Sequence, residues 1–396
     1  MSSEINRRTV TIRGVLTLTA NTHQTSTEKK EGNTLQAKTN VVAYENGTPR
    51  LMFGVPYVSA NSVRGMIRRA CGDVLMEQIS DMHGQIGRNL YLSIMRGGFA
   101  RTGINAGGAT YTQLVTAQDH MFVGLFGGGA FMYPAKARID RDLFPMLKCI
   151  DTIFPMVDQL KCLDARPDQI ISKTLIASKD DFARMPKLDV IEDHEAAYLE
   201  HMTKKMDQQK ASIEQKNQAR SDGVFVNADD KVKKDDLNTF TEVEVIIPGT
   251  PMFFSFTLDD VTDAQIGLFL CGLQSWANRN ALGGGSARGR GSFIASLRLE
   301  EGNEILAENV LLDGAPSFNL SDKVDGFVQA MRADLEHAAL PSTLGAIYPT
   351  ELIEKPVKVK KTPKTAAKKD DATSETSVDT FADGNQVAVV KEEAAA

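Results

Sequence analysis

Residues 283–292 read Gly-Gly-Gly-Ser-Ala-Arg-Gly-Arg-Gly-Ser, and this stretch is the strongest local indication of the fold and function of the chain. Its five glycines let backbone amides approach an anion closely, while Arg288 and Arg290 supply charge and Ser286 supplies a hydroxyl donor. The stretch lacks the Gly-Lys-Ser/Thr ending of a P-loop. It also follows a predicted helix and precedes a predicted strand, which is the reverse of the order in dinucleotide-binding domains. The pattern therefore predicts a different phosphate-binding loop; a flexible surface linker is the alternative.

The segments around this loop predict strands and helices in the order of a ferredoxin-like sheet with insertions. Period-two alternation marks the strands, helical spacing of apolar residues marks the helices, and a bulge is predicted at Gly14. A mostly charged segment, 188–219, predicts an exposed helix on an insertion. The other predicted elements are a strand at 7–20, a hairpin at 41–53, a helix at 63–79, a strand at 240–247 with a return strand at 252–258, a helix at 262–278 and a strand at 293–299.

The start of the first predicted helix is a second candidate anion site. Exposed amides at a helix N-terminus attract anions. Ser59, Asn61 and Ser62 are candidate N-caps with donor groups. Arg64 and Arg68 are four residues apart, so they share one face near the helix start. A well-capped surface helix without a ligand is the alternative.

The charge of the chain is unevenly distributed. Its 396 residues carry a net charge of −6, with 42% hydrophobic and 24% charged residues, as in a soluble globular protein. Three arginine-bearing stretches contain no acid: 46–72, 82–118 and 264–299. An acidic protein with such stretches can present a basic groove to a nucleic acid. The alternative is that these gaps arise by chance.

Motifs for catalysis and metal binding are missing from the sequence. The four cysteines form no C-x-x-C pair and predict buried thiols, and the six histidines form no H-E-x-x-H motif. The Asp119-His120 pair predicts a structural role. We therefore expect no catalytic residue, metal site or cofactor. The polar N-terminus and the lack of a long apolar run predict a cytoplasmic protein that does not interact with a membrane.

Three segments carry a resemblance to a known family. Residues 55–68 (Val-Pro-Tyr-Val-Ser-Ala-Asn-Ser-Val-Arg-Gly-Met-Ile-Arg) resemble the family's proline–small–Ser-x-basic-Gly-x-x-basic opening of the first helix. Residues 119–127 (Asp-His-Met-Phe-Val-Gly-Leu-Phe-Gly) resemble its Asp…Leu-Phe-Gly segment, and 283–291 resemble its glycine-rich loop before a strand. By these segments the chain resembles the RAMP superfamily of CRISPR-associated proteins.

The resemblance implies an α+β fold, in which a ferredoxin-like (RRM-like) palm carries large insertions of the thumb and finger type. The composition of the C-terminal segment predicts a disordered tail. The predicted divisions are a first part of the palm at 1–80, an inserted finger, helical and thumb region at 81–239, a second part of the palm with the glycine-rich loop at 240–350, and the tail at 351–396.

The resemblance also implies a function: a guide-RNA (crRNA)-binding backbone subunit, repeated along the guide in a class 1 CRISPR effector complex. The run Gly-Leu-Phe-Gly-Gly-Gly at 124–129 most resembles type IV backbone subunits, with the type I-D subunit as the nearest competitor. The implied partners are the guide RNA, a target nucleic acid paired to it (DNA favoured), other copies of the chain, other CRISPR effector subunits and a helicase.

Site residues follow from the same resemblance. In the family the palm holds backbone phosphates, and a hairpin thumb wedges against the next copy and flips a base. The thumb is expected at 222–236, with Phe225 and Val226 as wedge residues. The expected phosphate-binding residues are Ser59, Asn61, Ser62, Arg64 and Arg68 at the helix start, and Ser286, Arg288 and Arg290 in the glycine-rich loop.

One departure from the family bears on catalysis. Type III backbone subunits cut target RNA with an acidic residue in the loop after the first strand, but here residues 20–27 contain no acid before Glu28. Metal-assisted cleavage needs such a carboxylate, so we expect no target cleavage unless Glu28 or Glu31 substitutes. Two alternatives stay open: a RAMP-type endoribonuclease that processes precursor guide RNA with His23 as general base, and a generic single-stranded nucleic-acid-binding protein.

Overall fold

In the computed structural model of the chain, apolar side chains alternate with polar ones along the first strand, β1 (Arg7–Leu18). Val10, Ile12 and Leu16 are buried, because successive side chains of a strand point to opposite faces of the sheet. The structure describes residues 7–26, 33–45, 47–83, 86–97, 108–129, 131–154, 162–179, 194–221, 238–314 and 317–348.

The helices and the remaining strands follow in chain order, with the first predicted helix, the 41–53 hairpin and the inserted helix all present. The helices are α1 (Ala60–His83), α2 (Arg88–Arg96), α3 (Tyr111–Asp119), α4 (Met121–Phe126), α5 (His194–Ser221), α6 (Asp263–Arg279), α7 (Asp325–Ala339) and α8 (Pro341–Ile347). The strands are β2 (Asn33–Thr34), β3 (Lys38–Glu45), β4 (Thr48–Pro56), β5 (Ala137–Ile139), β6 (Ile171–Lys179), β7 (Asn238–Ile246), β8 (Pro251–Thr262), β9 (Phe293–Glu301), β10 (Glu304–Ala307), β11 (Leu311–Gly314) and β12 (Ser317–Leu320).

The main sheet has the order β10-β9-β1-β8-β5, and each neighbouring pair is antiparallel. Without the edge strand β10, this is the 4-1-3-2 order of a ferredoxin-like sheet, with α1 and α6 as its two helices. The predicted α+β, ferredoxin-like fold is confirmed. Strand β5 lies inside the segment predicted as an insertion, so the palm sheet also draws on that segment. The predicted division into regions otherwise stays a prediction.

Gly14 is needed for a reason other than the predicted bulge. The pairing of β1 continues through Gly14 on both sides, and its irregularity lies between Arg8 and Val10. A Cβ atom on Gly14 would lie 2.0 Å from the carbonyl oxygen of Ser296 in β9. Glycine is therefore required by the close approach of the neighbouring strand.

Helix α6 forms the centre of the helical layer. It begins with a capping box, in which Thr262 Oγ1 accepts a hydrogen bond from the Gln265 amide and Gln265 Oε1 accepts one from the Thr262 amide. Its apolar face buries Phe269 and Trp276 against the aromatic residues of β8. At Gly272 a Cβ atom would lie 2.1 Å from the Cys71 sulfur, so glycine allows α1 and α6 to cross closely.

Strands β7 and β8 do not form the predicted hairpin. Strand β7 pairs with β6 and β2 in a separate three-stranded sheet, whereas β8 enters the main sheet beside β1. The turn between them, with Gly249 at φ +83, thus moves the chain from one sheet to the other. Helix α5 lies in the connection from β6 to β7. The predicted thumb at 222–236, with Phe225 and Val226, lies outside the described residues.

Some elements were not predicted. Helices α2, α3 and α4 occupy a segment in which no helix was predicted, and α7 and α8 follow the last predicted strand. The predicted tail at 351–396 lies outside the described residues. Within the described ranges, no helix combines the length and the apolar character needed to cross a membrane.

Candidate nucleic-acid interface

The glycine-rich loop lies at the end of the main sheet where three strand ends meet. Leu18, the last residue of β1, pairs with Phe293, the first of β9, and Thr17 pairs with Pro251 at the start of β8. The loop that follows β1 and the loop that precedes β9 are therefore neighbours. The sheet topology places them together although more than 250 residues separate them.

The base of the glycine-rich loop is closed by two hydrogen bonds. The Leu282 amide donates to the Gly291 carbonyl at 2.9 Å, and the Phe293 amide donates to Asn280 Oδ1 at 2.7 Å. Asn280 is the left-handed residue that ends α6, at φ +47. A Cβ atom on Gly291, at φ +85, would lie 2.2 Å from the Leu282 carbonyl oxygen. The loop is thus a closed structure and not a flexible linker.

The loop after β1 packs against this closed base. The Gly284 amide donates to the His23 carbonyl at 2.7 Å, and the Gly291 amide donates to the Asn21 carbonyl at 2.9 Å. Thr22 exchanges two backbone hydrogen bonds with Ile246 of β7. Three segments that are distant in sequence are therefore held by backbone contacts, so the position of the glycine-rich loop is fixed from two sides.

His23 is a buried part of this arrangement. Its Nδ1 lies 2.7 Å from the Glu244 carbonyl oxygen, and its Nε2 lies 3.2 Å from Thr25 Oγ1. Burial lowers the pKa of His23 below its usual value, so the ring is neutral at pH 7. Both ring nitrogens have protein partners, which favours a structural role for His23 over general-base catalysis.

The predicted loop residues face outward to different degrees. Ser286 and Arg288 form a single exposed turn between Gly285 and Gly289. Arg290 folds back, and its Nη2 donates to Thr174 Oγ1 of β6 at 2.9 Å. Partial burial, together with the nearby charge of Arg288, lowers the pKa of Arg290. The loop therefore presents Arg288 and Ser286 to solvent, while Arg290 joins it to the three-stranded sheet.

The two predicted anion sites are connected through Gln36. Its side chain accepts from the Gln24 amide at 2.9 Å and donates to the Tyr57 carbonyl at 2.9 Å. Tyr57 lies two residues before Ser59, at the entry to α1. The loop after β1 thus contacts the glycine-rich loop on one side and the start of α1 on the other.

The start of α1 differs from the predicted anion site. The Ala60 amide, the first of the helix, donates to Asp142 Oδ1 at 2.7 Å. A carboxylate already lies at the helix N-terminus, where it is stabilised by the helix dipole. Asn61 is exposed, and Ser59 and Ser62 are half-buried. These three residues keep donor groups near the surface, but an incoming phosphate would lie close to a negative charge.

Arg64 and Arg68 share one face of α1, as predicted, but that face points into the protein. Arg68 is 6% exposed, and its guanidinium donates to the carbonyls at the ends of two helices. Burial lowers the pKa of Arg68 to about 10. Its acceptors are Ser93 and Ile94 of α2, and Phe126 and Gly127 at the end of α4.

Arg64 donates to the carbonyls of Phe126 and Ala137, and burial lowers its pKa as well. Cations bonded to the carbonyl ends of helices stabilise packing. The geometry gives both arginines this packing role, which does not favour the predicted contact with phosphate.

The open face of the main sheet offers polar groups instead of aromatic rings. Along β1, β8 and β9 the one aromatic side chain on this face is Phe253, which is buried beneath Phe154 and Arg141. Ser255 and Thr257 beside it both donate to Asp140. Nucleic-acid bases stack without sequence preference only on aromatic rings that are exposed. The loops at the sheet end are therefore better placed than this face to hold a nucleic acid.

Three residues that shape this site were not predicted from the sequence. Asn280 could have been recognised, because asparagine often follows the last turn of a helix in the left-handed conformation. Gln36 and Thr174 carry no local signal, since their partners lie 12 to 116 residues away in the sequence.

The fold and the site together define a class of protein: an RRM-like palm whose glycine-rich loop precedes the last strand of the ferredoxin-like core. The family model described as "RAMPs: RAMP superfamily" matches residues 34–294, which is more than half of the chain. The chain belongs to the RAMP superfamily, and this part of the sequence prediction is confirmed.

Comparison with solved structures gives a chain of a "Type IV-B CRISPR Complex" as one similar structure. It is 13% identical, with a TM-score of 0.40, over 75% of this chain and 92% of that chain. No curated protein matches the sequence.

Proposed function

We propose that this chain is a guide-RNA-binding backbone subunit, repeated along the guide in a CRISPR effector complex of type IV, and that it does not cut the target. The glycine-rich loop carries the proposal. It is closed at its base and presents Ser286 and Arg288 from a stretch without acids. Such a loop binds phosphates without reading bases, as a protein that accepts many guides requires.

The proposed RNA contacts are Ser286, Arg288 and Arg290, with Ser59, Asn61 and Ser62 near the start of α1. Arg64 and Arg68 are left out, because their guanidinium groups bind backbone carbonyls inside the protein. Target nucleic acid, with DNA favoured, other effector subunits and a helicase remain proposed partners. A cytoplasmic location is likewise part of the proposal.

The absence of catalysis is proposed from the loop after β1. Its described residues, 20–26, contain no carboxylate, and Glu28 and Glu31 lie outside the described residues. The endoribonuclease alternative would need His23 as a general base. That ring is neutral and buried, with both nitrogens bonded, so the geometry does not favour this alternative.

The first test is to purify the chain from cells with and without a guide-RNA array and to extract the nucleic acid that it carries. We expect RNA of one discrete length in a high-mass particle. The variant Arg288→Glu/Arg290→Glu should lose that RNA, because the exposed charge of Arg288 and the neighbouring charge of Arg290 are both reversed. The matched control, Lys323→Glu/Arg332→Glu, makes the same charge change at exposed positions near and on α7 and should keep the RNA.

A monomer without RNA would contradict the proposal. RNA of random length that is equally retained by both double variants would support the generic nucleic-acid-binding alternative instead. Cleavage of precursor RNA by the wild-type chain that is lost in His23→Ala would support the endoribonuclease.

A further inference from the structure

The β3–β4 hairpin carries an apolar surface that no described part of the chain covers. Val42 pairs with Leu51 across the two strands, and Tyr44 and Phe53 continue the same face by period two. All four are exposed, Phe53 by 68%. The opposite face, with Ala43, packs against residues 148–153 and is fixed there by a hydrogen bond from the Tyr44 amide to Thr152 Oγ1 at 3.0 Å.

The composition of this surface, called here the hairpin face (Val42, Tyr44, Leu51 and Phe53), favours a protein partner over a nucleic acid. Its centre is an aliphatic pair, and it includes no cation. Arg50 pairs with Ala43 and therefore lies on the other face of the hairpin. A polyanion is held chiefly by cations, whereas the largest exposed apolar patch of a protein, typically about 300–600 Å², is often a functional contact surface.

A second uncovered apolar surface lies on α5. Tyr198, Met202 and Met206 follow one another at intervals of four residues, and Leu199 lies seven residues before Met206. Leu199 is 64% exposed, and Tyr198 and Met206 are exposed as well. No helix or strand in the described part of the chain packs closely against α5. A polar helix of this length gains its stability from packing, so this stripe offers a contact surface to a partner.

We propose that the hairpin face of one copy docks on the α5 stripe (Tyr198, Leu199, Met202 and Met206) of the next copy. This proposal rests on the proposed function, in which copies lie side by side along one RNA. A repeated head-to-tail contact needs two different complementary surfaces on each chain, and the hairpin face and the α5 stripe are two such surfaces.

The size of the hairpin face fits a contact that depends on RNA. Its four side chains expose roughly 350 Å² of mostly apolar surface. A stable complex buries about 800 Å² on each partner, more than twice as much. The contact is therefore too small to hold free copies together, but it suffices for neighbours that the same RNA already holds at high effective concentration.

The test measures how many copies bind one RNA and how cooperatively they do so. The full-length chain is titrated onto a short single-stranded RNA that holds one copy and onto a long one that holds several, with the mass of each particle recorded. Phe53→Ser and Leu199→Ser should each weaken cooperative binding to the long RNA about tenfold, while binding to the short RNA is unchanged. Ile305→Ser, an exposed apolar residue on β10, is the matched control and should behave as wild type.

Mixing the two variants distinguishes this contact from others. A Phe53→Ser copy keeps its α5 stripe, and a Leu199→Ser copy keeps its hairpin face, so one good contact can form between them. The mixture should give adjacent pairs on the long RNA that neither variant gives alone. Unchanged cooperativity in both single variants would overturn the proposal. A loss of affinity of Phe53→Ser for the short RNA would also overturn it, in favour of a contact between the hairpin and RNA.

The proposed function can fail without deciding this inference. If the wild-type chain binds neither RNA, the proposed function is wrong, and the contact is then tested without RNA. For this, Pro49→Cys and Thr203→Cys chains, whose cysteines lie beside the hairpin face and the α5 stripe and leave both surfaces intact, are mixed at high concentration under oxidising conditions, so that even a transient contact is trapped. A disulfide that joins the two different variants in preference to either variant with itself would support the contact, and its absence would reject it.

Discussion

At the residue scale, Arg68 illustrates how an arginine predicted to bind phosphate can serve the fold instead. Its position after a serine-rich helix start is the same in either role. Only the tertiary structure shows that its guanidinium reaches the carbonyls at the ends of α2 and α4.

We predict that Arg68→Met destabilises the chain by about 3 kcal/mol, because the carbonyls of Ser93, Ile94, Phe126 and Gly127 each lose a hydrogen bond from the guanidinium at once. RNA affinity of the variant that remains folded should stay close to wild type. Thermal unfolding and RNA binding measure the two effects. Arg69→Met is the matched control, since Arg69 is exposed on the same helix and should alter neither quantity much. An Arg68→Met chain with unchanged stability and lost RNA binding would instead identify Arg68 as a phosphate contact.

At the element scale, the glycine-rich loop depends on backbone conformations that glycine alone adopts at low cost. Gly283, Gly285, Gly289 and Gly291 all have positive φ, whereas Gly284 does not. The loop's charge is therefore presented by a particular backbone path, and the arginines would lose their positions if that path changed.

We predict that Gly291→Ala weakens RNA binding about tenfold, because the added Cβ atom would meet the Leu282 carbonyl in a backbone region that strains alanine. Gly284→Ala is the matched control. Its Cβ atom would lie 3.7 Å from the His23 carbonyl oxygen, which is ordinary contact, so its affinity should stay near that of wild type. Equal affinities for both variants would show that the closed base of the loop does not position the RNA contacts. Titrations with a short single-stranded RNA give both affinities.

At the scale of the whole molecule, His120 joins segments that are 218 residues apart. Its Nδ1 accepts from the Phe122 and Val123 amides at the start of α4, and its Nε2 donates to the Ala338 carbonyl of α7. This arrangement requires a neutral ring, and burial lowers the pKa of His120 to about 4. His120, predicted as structural together with Asp119, is therefore part of the packing between α4 and α7, while Asp119 pairs with Arg7 of β1.

We predict a loss of stability on acidification that His120 controls. Above pH 6.5 the ring is neutral in both the folded and the unfolded chain, so His120 makes its full contribution to the free energy of unfolding. Between pH 6.5 and 4 the unfolded chain binds a proton that the folded chain does not. The free energy of unfolding therefore falls by about 3 kcal/mol by pH 4. Chemical unfolding across this range should show wild type losing stability relative to His120→Asn. A constant difference between the two from pH 8 to pH 4 would contradict the assignment.

The sequence by itself determined the period-two and helical patterns, and with them the ferredoxin-like core. It also determined the glycine-rich loop, because Gly283–Gly291 combines charge with residues that permit positive φ. Local patterns record which face of an element is buried. They do not record which distant segment covers that face.

Only the tertiary structure decided the remaining features. It turned Arg64 and Arg68 inward, placed Asp142 at the start of α1, and separated β7 from β8 into two sheets. It also connected the two anion-site candidates through Gln36. The physical reason is common to all four: a polar group takes whichever partner the packed chain brings within hydrogen-bonding distance, and sequence spacing does not fix that partner.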